Sequence, residues 1–431
     1  MARVVMVTLG SWGDLFPFID LGRELVARGN SAVVCSSAAH EDLVRSAGIE
    51  FRQIGRTVDF DDYRRHPEIL SSRLGGFSGL RAALDLFVFS QIDRLVDDLV
   101  TAAGDADVVV AHPAHAAAPI AAEVVGLPLV TASVFPGLIP TRRWPPGSDR
   151  AAAVLGRWLG PSYNRLAWQA ARALCRRAFD PPSNDARRRV GLRPRRDNLL
   201  RATTTDSERV LVLASPRIIS RPSDWPAHVE LTGFTTWDNP GWAVSDELRR
   251  FLSEGPPVVL VTLGSSGALD PADFFAVTVA AARQLGRRVL VVAGPSADQV
   301  PEQTDDVFVA RLVPYSAVLP QCAAAVHHAG IGTAVQCWRA GVPQLVLPRA
   351  FDQPLTAALI CGRHTGLSVP WPPRLGRVRD ALRQLLDDGL VRDHARALAA
   401  ALGDEEGSKT AVDAIEKVVD DQLIRRRRPH P

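Results

Sequence analysis

The stretch "VVMVTLGSWGD", Val4 to Asp14, returns half a chain later as "VVLVTLGSSG", Val258 to Gly267. Each copy is a short β-branched apolar run ending in Gly-Ser, the pattern of a buried parallel strand entering a tight turn. A helix pattern follows both. After the first copy, Pro17 suits the opening turn, Phe18, Leu21 and Leu25 share a face, and Gly29 closes the run. After the second, Pro271 opens, Phe275 and Val279 point inward, and Gly286 closes. Another strand then comes in each half, "SAVVCSS" at 31–37 and "RRVLVVAG" at 287–294.

The correspondence continues, with "ADVVVAHPA" (106–114) set against "CAAAVHHAG" (322–330) and "GLPLVTAS" (126–133) against "GVPQLVLP" (341–348). Two such series predict an α/β protein of two facing Rossmann-like domains, each a doubly wound parallel sheet. The first domain is expected over 1–215, a linker over 216–242 and the second domain over 243–405. A helix packing back on the first domain is expected over 406–424, and a basic tail over 425–431. Segments 56–95 and 136–200 interrupt the first half only, and insertions of this kind on a rigid scaffold are where binding residues collect. Ligands of open α/β sheets lie beyond the carboxyl ends of the strands, so the repeated turns are expected to line a cleft with two walls.

A chain of 431 residues suffices for two or three domains, and 46% apolar with 23% charged residues is ordinary for a soluble globular protein. A core of that size needs no disulfides or structural metal. The five cysteines are scattered without ligand or framework spacing, which fits a reducing, cytoplasmic compartment. A net charge of +3 gives no nucleic-acid signature. The "RRRR" at 425–428 reads as a solvated tail or as a contact with anionic lipid, so at most peripheral membrane contact is expected. The N-terminus passes straight into a strand pattern, so no signal peptide is expected. Prolines at 113, 119, 128, 136 and 140 break the least charged stretch into strand, helix and loop.

Neither repeated turn is GxGxxG, and there is no P-loop lysine. His327-His328-Ala329-Gly330-Ile331-Gly332-Thr333 joins a strand to a helix. Its small residues either serve packing or admit a phosphate to backbone N–H groups, with a histidine donating beside them. Asp14 is either a helix cap or a general base. His112 closes the strand at 107–111 on the same sheet edge, as a polar strand end or as a partner of Asp14, and His115 stands on the same loop. Leu84, Phe87, Phe89, Trp144, Trp158, Tyr163 and Trp168 crowd the insertions, and Trp12 lies in the first turn. Most are expected in the core; the alternative is an apolar acceptor pocket with Trp12, Phe87 and Trp144 in its wall.

Over nearly its whole length the chain resembles family 1 glycosyltransferases of the GT-B fold, the bacterial antibiotic, sterol-type and rhamnosyltransferase subgroup above all. The resemblance is carried by "GSWGDLFPFIDLGRELVARG" (10–29), "SDWPAHVELTGF" (223–234), "DELRRFLSEGPPVVLVTLGSS" (246–266) and the segment 311–360. It implies that His328, Gly330, Gly332 and Thr333 hold the donor diphosphate, with Ser265 beside them. It implies that Val313 and its neighbours receive the nucleotide base and that Asp352 and Gln353 bind sugar hydroxyls. Asp14 falls where relatives carry a catalytic His or Asp. His112 falls where their orienting Asp stands, and a hydrogen bond between the two, raising the imidazole pKa, is expected. Ala329 departs from the bacterial HHGG, and Leu312 replaces the Trp of plant relatives, which leaves dTDP and UDP both open.

The reaction implied is inverting, metal-independent transfer from a nucleoside-diphosphate sugar to a hydroxyl of an apolar natural product or lipid. The nucleotide sugar is a substrate, and no cofactor is expected. Rival readings are a nucleotide-sugar epimerase of the same fold and a non-catalytic auxiliary partner of another transferase.

Overall fold

The computed structural model describes residues 1–59, 65–66, 69, 75–146, 150–239, 241–264, 272–294, 300 and 302–427. Among them the chain forms two compact units, one built from 1–59, 75–237 and 405–427, the other from 238–404.

The first unit holds a seven-stranded parallel sheet ordered β3-β2-β1-β4-β5-β6-β7. Its strands are β1 (Arg3–Val7), β2 (Ser31–Ser36), β3 (Glu50–Gln53), β4 (Val108–Ala111), β5 (Leu129–Ser133), β6 (Arg209–Val212) and β7 (Val229–Leu231). Alternation along β1 sends Val5 and Val7 into one layer and Val4 and Met6 into the other, and all four are fully buried. Leu95, Leu99, Ile120 and Phe179, from helices Ile92–Ala103, Ala117–Val125 and Arg150–Arg189, fill the first layer. Helix Trp12–Ala27 fills the second with Leu15, Phe18 and Leu21, joined by Val412 and Ile415 of the last helix, Gly407–Arg427. Helices on both faces make the central strands apolar on consecutive residues, as in Val4–Val7 and Val108–Ala111.

The last helix is also tied to the first one by polar contacts. Arg28 donates to Asp413 and Glu416, Asn30 to Glu416. Asp20 accepts the Ser408 hydroxyl and the Thr236 N–H, and burial raises its carboxyl pKa. Helix Trp12–Ala27 starts earlier than Pro17 suggests because Ser11 caps it, leaving the proline inside the helix. Segment 216–237 stays with the first unit, since Val229–Leu231 pairs with the open side of β6 and Trp237 is buried in the layer below.

The second unit repeats the plan with a six-stranded parallel sheet, β10-β9-β8-β11-β12-β13. The strands are β8 (Val258–Thr262), β9 (Val289–Val292), β10 (Val307–Ala310), β11 (Cys322–His327), β12 (Gln344–Val346) and β13 (Gly366–Ser368). In both units the strand order reverses beside the first strand, between β1 and β4 and between β8 and β11. That reversal is the switch point at which such sheets bind ligands. Pro271, expected to open a helix, lies outside the described residues; the helix is described over Ala272–Gln284, with Phe275 and Val279 buried.

Candidate functional site

In the first unit, the switch point carries Asp14 and His112. Thr8, Leu9 and Gly10 leave β1, and Ser11 then caps the helix, its side chain accepting the Asp14 N–H at 3.2 Å. The Ser11 hydroxyl in turn donates to Asp14 Oδ2 at 2.6 Å, and the Thr8 hydroxyl donates to the Asp14 carbonyl at 2.9 Å. Asp14 therefore sits in the first turn of the helix with its carboxylate held from one side. His112 Nε2 stands 3.6 Å from the other oxygen, Oδ1. That separation is an ion-pair distance and is longer than a hydrogen bond; the direct bond to the carboxylate comes from Ser11, a residue sequence reasoning passed over.

The His112 Nδ1 accepts the Ala114 N–H at 3.2 Å, which leaves the proton on Nε2, facing Asp14. Burial lowers the His112 pKa and outweighs the Asp14 charge, the reverse of the rise expected from a carboxylate neighbour. His115 is pushed down to about 3 by burial and by His112, and among the described residues its buried Nδ1 has no hydrogen-bond partner. His40, also missed in the sequence, reaches the same turn. Its Nδ1 lies 2.8 Å from the Ser36 hydroxyl, and burial takes its pKa to about 4 against the pull of Asp14 and the Gly10 carbonyl. The turn is thus ringed by neutral imidazoles.

Of the apolar residues singled out, Phe87 lies against this turn: a Cβ on Gly10 would come within 1.9 Å of its ring. Trp12 opens the helix and stacks on Phe16 at 6.2 Å. Trp144 packs instead against Trp225 at 5.9 Å and accepts the Trp168 indole N–H, so its contacts run to a separate aromatic cluster. Trp158, expected in the core or a pocket, is 84% exposed.

In the second unit, the equivalent point brings His328, Gly264, Gly330 and Thr333 together. Gly264 has φ +58, and a Cβ there would lie 3.0 Å from His328 Cε1; a Cβ on Gly330 would lie 2.6 Å from its Nε2. The imidazole is therefore accommodated because both turns are glycine where it passes. Gly330 caps helix Ile331–Ala340, while the space at Gly332 is open. Burial lowers the His328 pKa to about 3, so it offers an N–H and not a charge. Behind it, His327 binds Gln344 at 3.0 Å, and Tyr315 donates to Thr262 at 3.2 Å.

Asp352 Oδ2 accepts the Ile331 N–H at 3.2 Å, at the mouth of that helix. Gln353 Oε1 accepts the N–H groups of Arg349 and Ala350, which leaves its amide protons as the donating side. Val313 is buried in the core of this unit, so its side chain is not open to a base. Ser265 lies outside the described residues. Among the described residues, no three His, Cys, Asp or Glu side chains are grouped to hold a metal ion, and no helix is long and apolar enough to cross a membrane.

The register shows which histidines correspond. Val7 pairs with Ala111 and Thr262 with His327. Since Thr8 matches Thr262 in the repeat, His112 is the counterpart of His327, one place from the alignment by sequence. The irregularity between Cys322 and Ala324 gives β11 one residue more than β4 over the same stretch. Both histidines take the N–H of the alanine two residues on, at 3.2 Å.

Residues 4–140 match the glycosyltransferase family 28 N-terminal domain, and residues 278–418 the erythromycin biosynthesis protein CIII-like C-terminal domain. O-mycaminosyltylonolide 6-deoxyallosyltransferase of Streptomyces fradiae is 33% identical, over 96% of this chain and 97% of its own length. Spinosyn forosaminyltransferase SpnP shares the fold with a TM-score of 0.70 at 19% identity, covering 97% of this chain and 99% of its own. The glycosyltransferase VinC, solved in complex with dTDP, does so with a TM-score of 0.67 at 22% identity, covering 97% of this chain and all of its own. Twin parallel sheets with glycine turns at matching switch points, and a relative aligned along nearly its full length, make this chain a nucleotide-sugar-dependent glycosyltransferase of the family 1-like GT-B group.

Proposed function

We propose that the protein transfers a sugar from a thymidine-diphosphate donor to a hydroxyl group of an apolar natural-product acceptor, with inversion at the anomeric carbon and without a metal ion. The observation that carries this reading is the pairing of roles at the two switch points. One holds a partly exposed carboxylate, Asp14, and the other a helix N-terminus with a neutral histidine, His328. Asp14 takes the proton of the acceptor hydroxyl as that oxygen bonds to the anomeric carbon. The bond from that carbon to the diphosphate breaks, and its electron pair leaves with the phosphate. Negative charge gathering there is met by the N–H groups after Gly330 and by the His328 N–H. The Asp352 carboxylate, bonded to the Ile331 N–H, yields that place to a phosphate oxygen and turns to the sugar.

A thymidine donor is supported by the dTDP complex of VinC, and a natural-product acceptor by the O-mycaminosyltylonolide in the name of the Streptomyces fradiae relative. Phe87 and Trp12 beside the Asp14 turn supply apolar surface for it. His112, with its Nε2 proton toward Asp14, is a positioning residue for the carboxylate. The test is calorimetric titration with dTDP and UDP, followed by determination of the product anomer from an α-linked donor. The reading predicts tighter dTDP binding and a β-linked product. An α-linked product, or release of nucleotide with no acceptor present, would refute it and favour the epimerase reading.

A further inference from the structure

Thr8 and Thr262 hold matching places in the repeat but bond differently. In the first unit the Thr8 hydroxyl donates to the Asp14 carbonyl, which ties the turn after β1 directly to the helix that follows. In the second unit the Thr262 hydroxyl turns sideways and donates to the Val292 carbonyl at the end of β9, at 2.9 Å. Its oxygen accepts the Gly264 N–H at 3.1 Å. A hydroxyl has one proton and two lone pairs, and the second lone pair takes the Tyr315 hydroxyl at 3.2 Å. Thr262 is then fully used, and Tyr315 is its link to the rest of the donor site.

Tyr315 is held from several sides. Val313 and Val318, before and after it, are buried in the core with Leu260 and Cys337, and Tyr315 packs against the same cluster. At the next residue, Asp238 accepts the Ser316 N–H at 2.8 Å. The side chain as a whole is partly buried, yet its hydroxyl is desolvated enough to raise its pKa, so the proton stays in place at any working pH. That proton is committed to Thr262, which leaves the Tyr315 oxygen to accept. Thr333, in the first turn of helix Ile331–Ala340, is near enough to act on the same hydroxyl, and its Oγ1 would lie 3.7 Å from a Cβ on Gly264. The Gly264 turn, the helix N-terminus and the segment after β10 therefore meet at one phenol oxygen. Glycine is the least restrained residue, so a turn at φ +58 beside His328 depends on such ties to keep its shape.

We propose that Tyr315 is a positioning residue for the donor diphosphate: through Thr262 it holds the Gly264 turn against the first turn of helix Ile331–Ala340, and so fixes the gap that the phosphates enter. The inference rests on the donor reading above and adds to it a residue that acts through another. The experiment is calorimetric titration of the wild type and Tyr315→Phe with dTDP and dTMP, and with UDP and UMP. Phenylalanine keeps the ring packing and removes the oxygen alone. The Kd of the better-bound diphosphate should rise about tenfold, the order of one lost hydrogen bond, while that of its monophosphate stays within about twofold. The donor KM should rise by a similar factor with the acceptor KM unchanged. In a Thr262→Val background the Tyr315 hydroxyl has no lone pair to meet, so Tyr315→Phe should there change the diphosphate Kd by less than about twofold. Equal weakening of diphosphate and monophosphate would mean a contact with the nucleoside or a general loosening of the unit, and overturns the proposal. An unchanged diphosphate Kd does so too. Failure of the wild type to bind either diphosphate overturns the donor reading itself, an outcome distinct from a variant that binds as the wild type does.

Discussion

Replacing Gly10 by Ala probes the turn that carries Asp14. The added Cβ would lie 1.9 Å from Phe87 Cε1, 2.5 Å from Cδ1 and 2.6 Å from Cζ. Ordinary contact needs about 3.5–4 Å, so the ring edge must retreat by roughly 1.6–2 Å. Overpacking of this kind costs about 1–3 kcal/mol. At about 2–4 °C per kcal/mol for a unit of this size, the transition should fall by roughly 2–12 °C. Phe87→Ala alone loses the ring's packing, but it empties the space the methyl needs. Gly10→Ala should then cost close to nothing in the Phe87→Ala background, a coupling of about 1–3 kcal/mol. Scanning calorimetry of the wild type, both single variants and the double variant reads this directly, and kcat/KM should fall in Gly10→Ala and recover in the double variant. Equal costs of Gly10→Ala in the two backgrounds would refute the placement of Phe87 against the turn.

Three further outcomes are expected. Gly264→Ala forces a left-handed residue to carry a Cβ 3.0 Å from His328, and calorimetry should show dTDP binding weakened about tenfold, by displaced imidazole and turn; an unchanged Kd would contradict that geometry. Ala329 already occupies φ +68 while fully buried, so Ala329→Gly should be neutral or stabilising by up to about 1 kcal/mol, and a clear loss in Tm would contradict the strain assigned to it. His40, His115, His327 and His328 have folded pKa values of about 3 to 4, below the 6.5 of free imidazole. Their stabilisation is present above 6.5 and lost as the pH falls toward the folded values, about 2 kcal/mol for His40 alone at pH ~5. Tm should therefore drop between pH ~6.5 and ~4, less so in His40→Asn; a flat profile would show that these rings are not held neutral.

The fold was legible because a doubly wound sheet writes its strands as β-branched runs and its turns as glycine. The repeated phrase at 4–14 and 258–267 marks the first strand of each sheet, and Asp14 and His328 follow from the strand ends. What the sequence concealed depends on side-chain environment or on register. The pKa of His112 turns on burial, which no spacing reveals. Its counterpart, His327, shows only in the strand register. Ser11 and His40 reach Asp14 and Gly10 through a helix cap and a neighbouring strand end; S-x-x-D around Ser11 is a capping signal that could have marked the first. Trp144 and Trp158 share the composition of a pocket wall, yet one is packed in a separate cluster and the other is bare.

The most direct test of catalysis by the first switch point is Asp14→Asn, measured for both donor binding and sugar transfer. Removing the base while keeping the cap should lower kcat by about 10²–10⁴ and leave the Kd for dTDP within about twofold. Transfer at the wild-type rate would contradict the assignment of Asp14 as the group that takes the acceptor's proton.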